Sequence, residues 1–146
     1  MLEALQASGS ASFLRSSFYL YPLLNALHIL SIGALVTSAL LMDLRVLGLG
    51  RQLAAEMVIA QLRPVALVAL AAAVLSGLLL FSVQPVDYAG NPAFRIKLLL
   101  LVAALANAAV FTFLRLDRRG GRLSALLSIL LWLGVLVAGR FIGFVL

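Results

Sequence analysis

His28 is the only histidine in the chain and stands in "NALHILSIGALV", near the start of a long apolar run. An imidazole suits two kinds of work there, as an axial ligand for haem iron or as a ligand for a transition metal such as copper. On a helix, Tyr21, Asn25, His28, Ser31 or Ile32, Leu35, Ser38 and Met42 recur at spacings of three and four and share one stripe. Starting from Tyr19, His28 lies about 13 Å along that helix. Lys97 opens a later apolar run and Arg140 stands about two turns before the end of the last one, so both belong to the membrane half that holds His28.

Ionisable groups inside a bilayer are costly and mark functional sites by default. The expected chemistry is therefore a haem b or similar redox cofactor with His28 as axial ligand, Asn25 on the same stripe, and Lys97 and Arg140 pairing with anionic propionates. One histidine supplies one axial ligand. A five-coordinate iron, a second copy of the chain, or ligation by Lys97 itself would complete such a site. Copper held by His28 and Met42 is the metal alternative, but 14 residues of helix separate them by about 21 Å, so it requires another chain. The plainer roles are a neutral His28 ring donating to a serine or a backbone carbonyl, and Lys97 and Arg140 snorkelling to headgroups.

These residues need spans to hold them. Hydrophobic residues make up 64% of the chain and charged ones 11%, against roughly 45–50% and about 25% in soluble domains. The mean hydropathy is +1.18. A bilayer core of about 30 Å needs about 20 apolar residues per helix, and four stretches qualify, near Tyr19–Met42, Leu62–Val83, Phe94–Leu114 and Leu123–Leu146. The connections are short, so the whole chain, 1–146, reads as one all-α membrane domain, an up-down-up-down bundle of four helices. With no cysteine, disulfides and thiolate metal sites are excluded.

Residues 1–17 read as an interfacial segment, with apolar Leu2, Leu5, Phe13, Leu14 and the following Phe18 interrupted by Ser8, Gly9 and Ser10, or as a frayed terminus, and not as a cleaved signal peptide. The stretch "RQLAAEMVIAQLRP" reads as a short surface helix, with Pro64 in the first turn of the second span. Turn formers in "SVQPVDYAGNPAF" mark the next connection, and Gly120–Gly121 predicts a tight hairpin into the fourth span. Arg45, Arg51, Arg63, Arg115, Arg118, Arg119 and Arg122 fall on one side of the membrane, and Arg15, Arg95, Lys97 and Arg140 on the other. The positive-inside rule then places both termini outside. The net charge of +6 follows from topology and attraction to anionic lipid, with no need for nucleic acid.

Close packing is expected at Gly33 and Thr37, Ala69 and Ala73, Ala104 and Ala108, and Gly139 and Gly143. Asn107 is expected to bridge helices by a hydrogen bond, Trp132 to pack in the core or against lipid, and Asp43 and Arg45 to pair locally or meet lipid. The chain has no phosphate loop, carboxylate pair or histidine cluster, and no acid placed for Ser-His-Asp chemistry. Any catalysis would be a cofactor's.

The runs "LRSSFYLYPLLNALHILSIGALVTSALLMDLRVLG", "SGLLLF", "NPAFRIKLLLLVAALANAAVF" and "AGRFIGF" resemble a family of small uncharacterised bacterial inner-membrane proteins over nearly the whole chain. More distantly, the first-span histidine and "FRIKLLLLVAALAN" look like copper-resistance D membrane domains and HemJ-type protoporphyrinogen oxidases. That likeness implies a four-helix fold, with His28 and Lys97 at positions associated with haem binding and activity. Asn107 stands near the place of a further histidine in such oxidases, and "SIGALV" replaces their aromatic and glycine pattern. Two other readings remain open, a non-enzymatic scaffold or assembly partner of a periplasmic or membrane protein, and a copper or small-solute permease acting as a homo-oligomer.

Overall fold

A computed structural model describes residues 17–50, 52, 54–114 and 118–145. The expected interfacial segment therefore lies, apart from Ser17 at its end, outside the described residues. Four long helices carry the fold: α1 (Leu20–Leu47), α2 (Ala55–Val83), α4 (Pro92–Phe113) and α5 (Arg118–Val145), with a short α3 (Pro85–Gly90) between α2 and α4. Each of the four is long and apolar enough to cross a bilayer.

Local chemistry sets the helix ends. Gly48 stops α1 in the left-handed region at φ 105°, where a side chain would be strained. Its N–H donates to the Arg45 carbonyl at 3.1 Å and the Leu49 N–H to the Leu44 carbonyl at 3.0 Å, the paired bonds of a Schellman ending. Asn91 caps α4 with Oδ1 accepting from the Ala93 N–H at 2.9 Å and the Phe94 N–H at 3.3 Å. Pro92 follows at the first helical position, where a missing N–H costs nothing. The same Asn91 donates from Nδ2 to the Ile142 carbonyl at 3.2 Å, tying the start of α4 to the end of α5.

Two sequence expectations are corrected. The surface helix and second span form one continuous helix of 29 residues with Pro64 inside it. Pro64 is exposed, so its ring and the freed Ala60 carbonyl face away from the core and the helix passes through. At about 1.5 Å per residue α2 exceeds the hydrocarbon thickness, and tilt or extension beyond the core accommodates the excess. Gly120 and Gly121 likewise belong to the first turn of α5, not to the hairpin. Phe111 of α4 covers Gly121, where a Cβ would stand 3.9 Å from the ring.

α1 packs along α2 and along α5, and α4 packs along α5. α2 and α4 do not pack along their lengths. Each long helix contributes to one buried cluster, with Leu35, Val36 and Ala39 from α1, Ala69 from α2, Ala104 from α4 and Trp132 from α5. Trp132 thus lies in the core as expected. Large apolar side chains instead cover the outside: Leu30, Val68, Leu99 and Leu130 are each about 70% exposed, the reverse of a water-soluble bundle and the arrangement lipid favours.

The small-residue pairs divide. Ala69 and Ala73 are both buried in the α1–α2 contact, whereas Gly33 and Thr37 are exposed and a Cβ at Gly33 would meet nothing within 4 Å. Ala108 and Gly143 also face outward. In a chain this rich in Ala and Gly, spacing alone selects outward faces as readily as inward ones.

Candidate functional site

At the α3 end of the bundle, the stripe on α1 turns His28 toward α2. The imidazole Nδ1 lies 2.9 Å from Ser76 Oγ. Ser76 is buried, and its one hydroxyl proton is committed within its own helix, to the Ala72 carbonyl at 2.6 Å and more distantly to the Ala73 carbonyl at 3.3 Å. The hydroxyl therefore accepts from His28, which makes Nδ1 the protonated nitrogen and Nε2 the one with the lone pair, and the Ala73 carbonyl is a second acceptor beside the ring. Gly77, the next residue of α2, gives the ring its room. A Cβ there would stand 3.0 Å from His28 Cε1, a tight contact that the ring could relieve only by shifting a few tenths of an ångström.

Lys97 enters from α4. Its aliphatic stem and ammonium lie against Gly139 of α5, where a Cβ would be 3.6 Å from Cε and 3.7 Å from Nζ. The side chain is half-buried and within electrostatic reach of His28. The fold thus brings together the imidazole and ammonium that the sequence separates by 69 positions (97 − 28).

The other two expected site residues stand apart from that pair. Arg140 follows Gly139 at the same level but is exposed, with its guanidinium 4.8 Å from the centroid of the Phe144 ring. That contact is a cation–π pair within α5. Asn25, about one turn from His28, is also exposed. Met42 lies far down α1, and no group of three or more His, Cys, Asp or Glu among the described residues is placed to hold a metal ion.

Aromatic rings close this end. Phe81 of α2 stacks on Phe94 of α4 at 5.5 Å and 12°, and Tyr88 of α3 lies 5.8 Å from Phe94 and 6.2 Å from Phe81. The Tyr88 phenol is also hydrogen-bonded to Tyr21 of α1. Burial first, then the Tyr21 phenol, push its ionisation above the ordinary phenol range. α2 and α4 therefore meet through rings at their ends.

Residue spacing did not reveal Ser76, Gly77 or the aromatic closure. The signal was "SGLLLF", a Ser-Gly pair and an aromatic inside an apolar run. A serine that bonds its own helix is unremarkable until a second helix supplies a donor.

Polar contacts at the opposite end are of another kind. Asn107 donates from Nδ2 to the Ser124 carbonyl at 3.0 Å, and Ser124 Oγ donates back to Asn107 Oδ1 at 3.0 Å. This reciprocal pair is the expected helix bridge. Asp43 faces Ser128, one turn beyond Ser124 on α5, and is drawn into the bundle.

Fold and spans define a class, an integral multi-pass membrane protein built as a four-helix bundle. No protein-family model, curated protein or solved structure matches the chain.

Proposed function

We propose that this protein, in a bacterial inner membrane with both termini outside, binds a haem-like redox cofactor in the outer half of the bundle through His28 Nε2. The observation that carries this reading is the commitment of the Ser76 hydroxyl, which assigns the His28 proton to Nδ1. Metal-ligating histidines almost always donate their second ring N–H to a fixed acceptor, which orients the ring and raises its basicity.

The residues present fit such a group in three respects. His28 offers one lone pair from a ring held by Ser76 and cradled on Gly77. Lys97 offers a half-buried cation for an acidic substituent. Away from the Phe81–Phe94 stack, α2 and α4 do not pack along their lengths. A haem bound there would supply one-electron redox chemistry. Arg140, one residue past the Lys97 contact, adds positive potential at the same end.

Absorption spectra of the detergent-purified protein, oxidised and dithionite-reduced, from cells supplied with a haem precursor, test the proposal. A Soret band that shifts on reduction and is lost in His28→Ala is the expected result. An intact protein that stays colourless after haem addition would reject it. That outcome would favour a non-enzymatic membrane scaffold, in which His28 and Ser76 fix helix register as Asn107 and Ser124 do.

A further inference from the structure

Asp43 is the one acidic side chain among the described residues with an oxygen sealed inside the bundle, since Glu56 and Asp87 are both exposed. It stands one turn before the end of α1 and faces α5. Its Oδ2 is buried and has no hydrogen-bond partner, while its polar neighbour is the Ser128 hydroxyl. Ser124, one turn away on α5, is already engaged with Asn107.

A carboxylate oxygen shut away from water without a donor is strongly unfavourable, and such a group either gains a counter-ion or takes up a proton. Among the described residues, the surroundings argue against a counter-ion. Ser128 is neutral, and Arg63 of α2 and Arg122 of α5, on the elements packed against α1, are exposed. Arg45 is two positions further along α1, and residues two apart leave a helix on different sides. A proton requires neither a cation nor a wider cavity. It removes the charge that makes a buried oxygen without a donor costly, and leaves the Ser128 contact in place.

We propose that Asp43 and Ser128 form a proton-binding site at the seam between α1 and α5, with the carboxyl of Asp43 holding the proton when the seam is closed. The site lies at the end of the bundle opposite His28 and is independent of any cofactor. An intramembrane carboxyl of this kind takes up or releases a proton when its seam opens to water.

Infrared difference spectroscopy of the full-length protein in lipid nanodiscs tests this. The wild-type minus Asp43→Asn spectrum at neutral pH is expected to contain a carboxylic acid C=O band, one that moves in Ser128→Ala as its hydrogen bond is lost. A difference showing only carboxylate bands would overturn the proposal. Should Asp43→Asn fail to assemble, pH-difference spectra of the wild type serve instead. An acid band present at neutral pH and lost on alkalinisation supports the site, and its absence at neutral pH overturns it.

Dicyclohexylcarbodiimide gives a second readout. The acid proton passes to a carbodiimide nitrogen while the carboxyl oxygen bonds to its central carbon, and in dry surroundings the adduct rearranges to a stable acylurea. Mapped by peptide mass spectrometry, the label is expected at Asp43 in preference to Glu56 and Asp87, and equal labelling of all three would count against a sealed acid.

Discussion

The His28 ring and the Ser76 hydroxyl meet across α1 and α2 at 2.9 Å, and because Ser76 has given its proton to Ala72 at 2.6 Å the imidazole is the donor. A residue of one helix thus sets which nitrogen of another helix's side chain carries a lone pair. Nitrogen-15 NMR of the single histidine is expected to show the Nδ1–H form, with Ser76→Ala releasing the preference. An Nε2–H ring in the wild type would contradict this geometry.

Gly77 and Gly139 are expected to respond differently to alanine. At Gly77 a Cβ would stand 3.0 Å from His28 Cε1, while at Gly139 the nearest Lys97 atoms lie at 3.6–3.7 Å, an ordinary contact. Gly77→Ala should displace the imidazole and destabilise the bundle by about 1–3 kcal/mol, the usual range for overpacking. Gly139→Ala should stay within about 0.5 kcal/mol. Unfolding in mixed micelles compares the two directly, and equal effects would refute the asymmetry.

The Asn107–Ser124 pair is expected to contribute modestly. Hydrogen bonds between membrane helices average about 0.6 kcal/mol and reach about 1.7. Asn107→Ala and Ser124→Ala should each fall in that range. A double-mutant cycle should show coupling, because each single change orphans the other partner.

Tyr88 makes stability depend on alkaline pH. Its phenol ionises above its ordinary value in the folded state, first through burial and then through Tyr21. A raised folded-state pKa means that, between the unfolded value of about 10 and the folded value, the native state holds more protons than the unfolded one. The contribution is complete below the unfolded value and is lost as pH rises through the folded one. Thermal unfolding followed upward from pH of about 9 should show less alkaline loss in Tyr88→Phe than in wild type. Identical profiles would place the sensitivity elsewhere.

Asn91 caps α4 and tethers its start to Ile142 through one side chain. Asn91→Ala should cost about 1–2 kcal/mol from the cap alone. Hydrogen exchange should rise at the Ala93 and Phe94 amides before it rises in mid-helix.

Much of the architecture was legible because the bilayer removes choices. With no water to satisfy backbone groups, apolar runs of this length become helices, and short connections make neighbours antiparallel. The connection before α4 was readable from its turn formers, Pro92 among them, and Asn107 as a bridge from its chemistry. The helix ends near Pro64 and Gly120 differ from what spacing predicts, because both residues are tolerated inside helices when their unsatisfied groups face outward or a neighbour covers them.

His28 and Lys97 were recognisable as the residues to watch because a titratable side chain in an apolar span is rare for energetic reasons that hold whatever surrounds it. Their setting was not recognisable. That Ser76 would receive the His28 proton, that Gly77 and Gly139 would make room, that Arg140 would turn to Phe144, and that Asp43 would face Ser128 all depend on how the helices are rotated about their axes. Rotation is decided by side chains on different helices meeting at close range. Hydropathy and spacing within one helix determined that there are four spans and which side chains are costly to bury, and only packing between the spans decided which of those side chains meet.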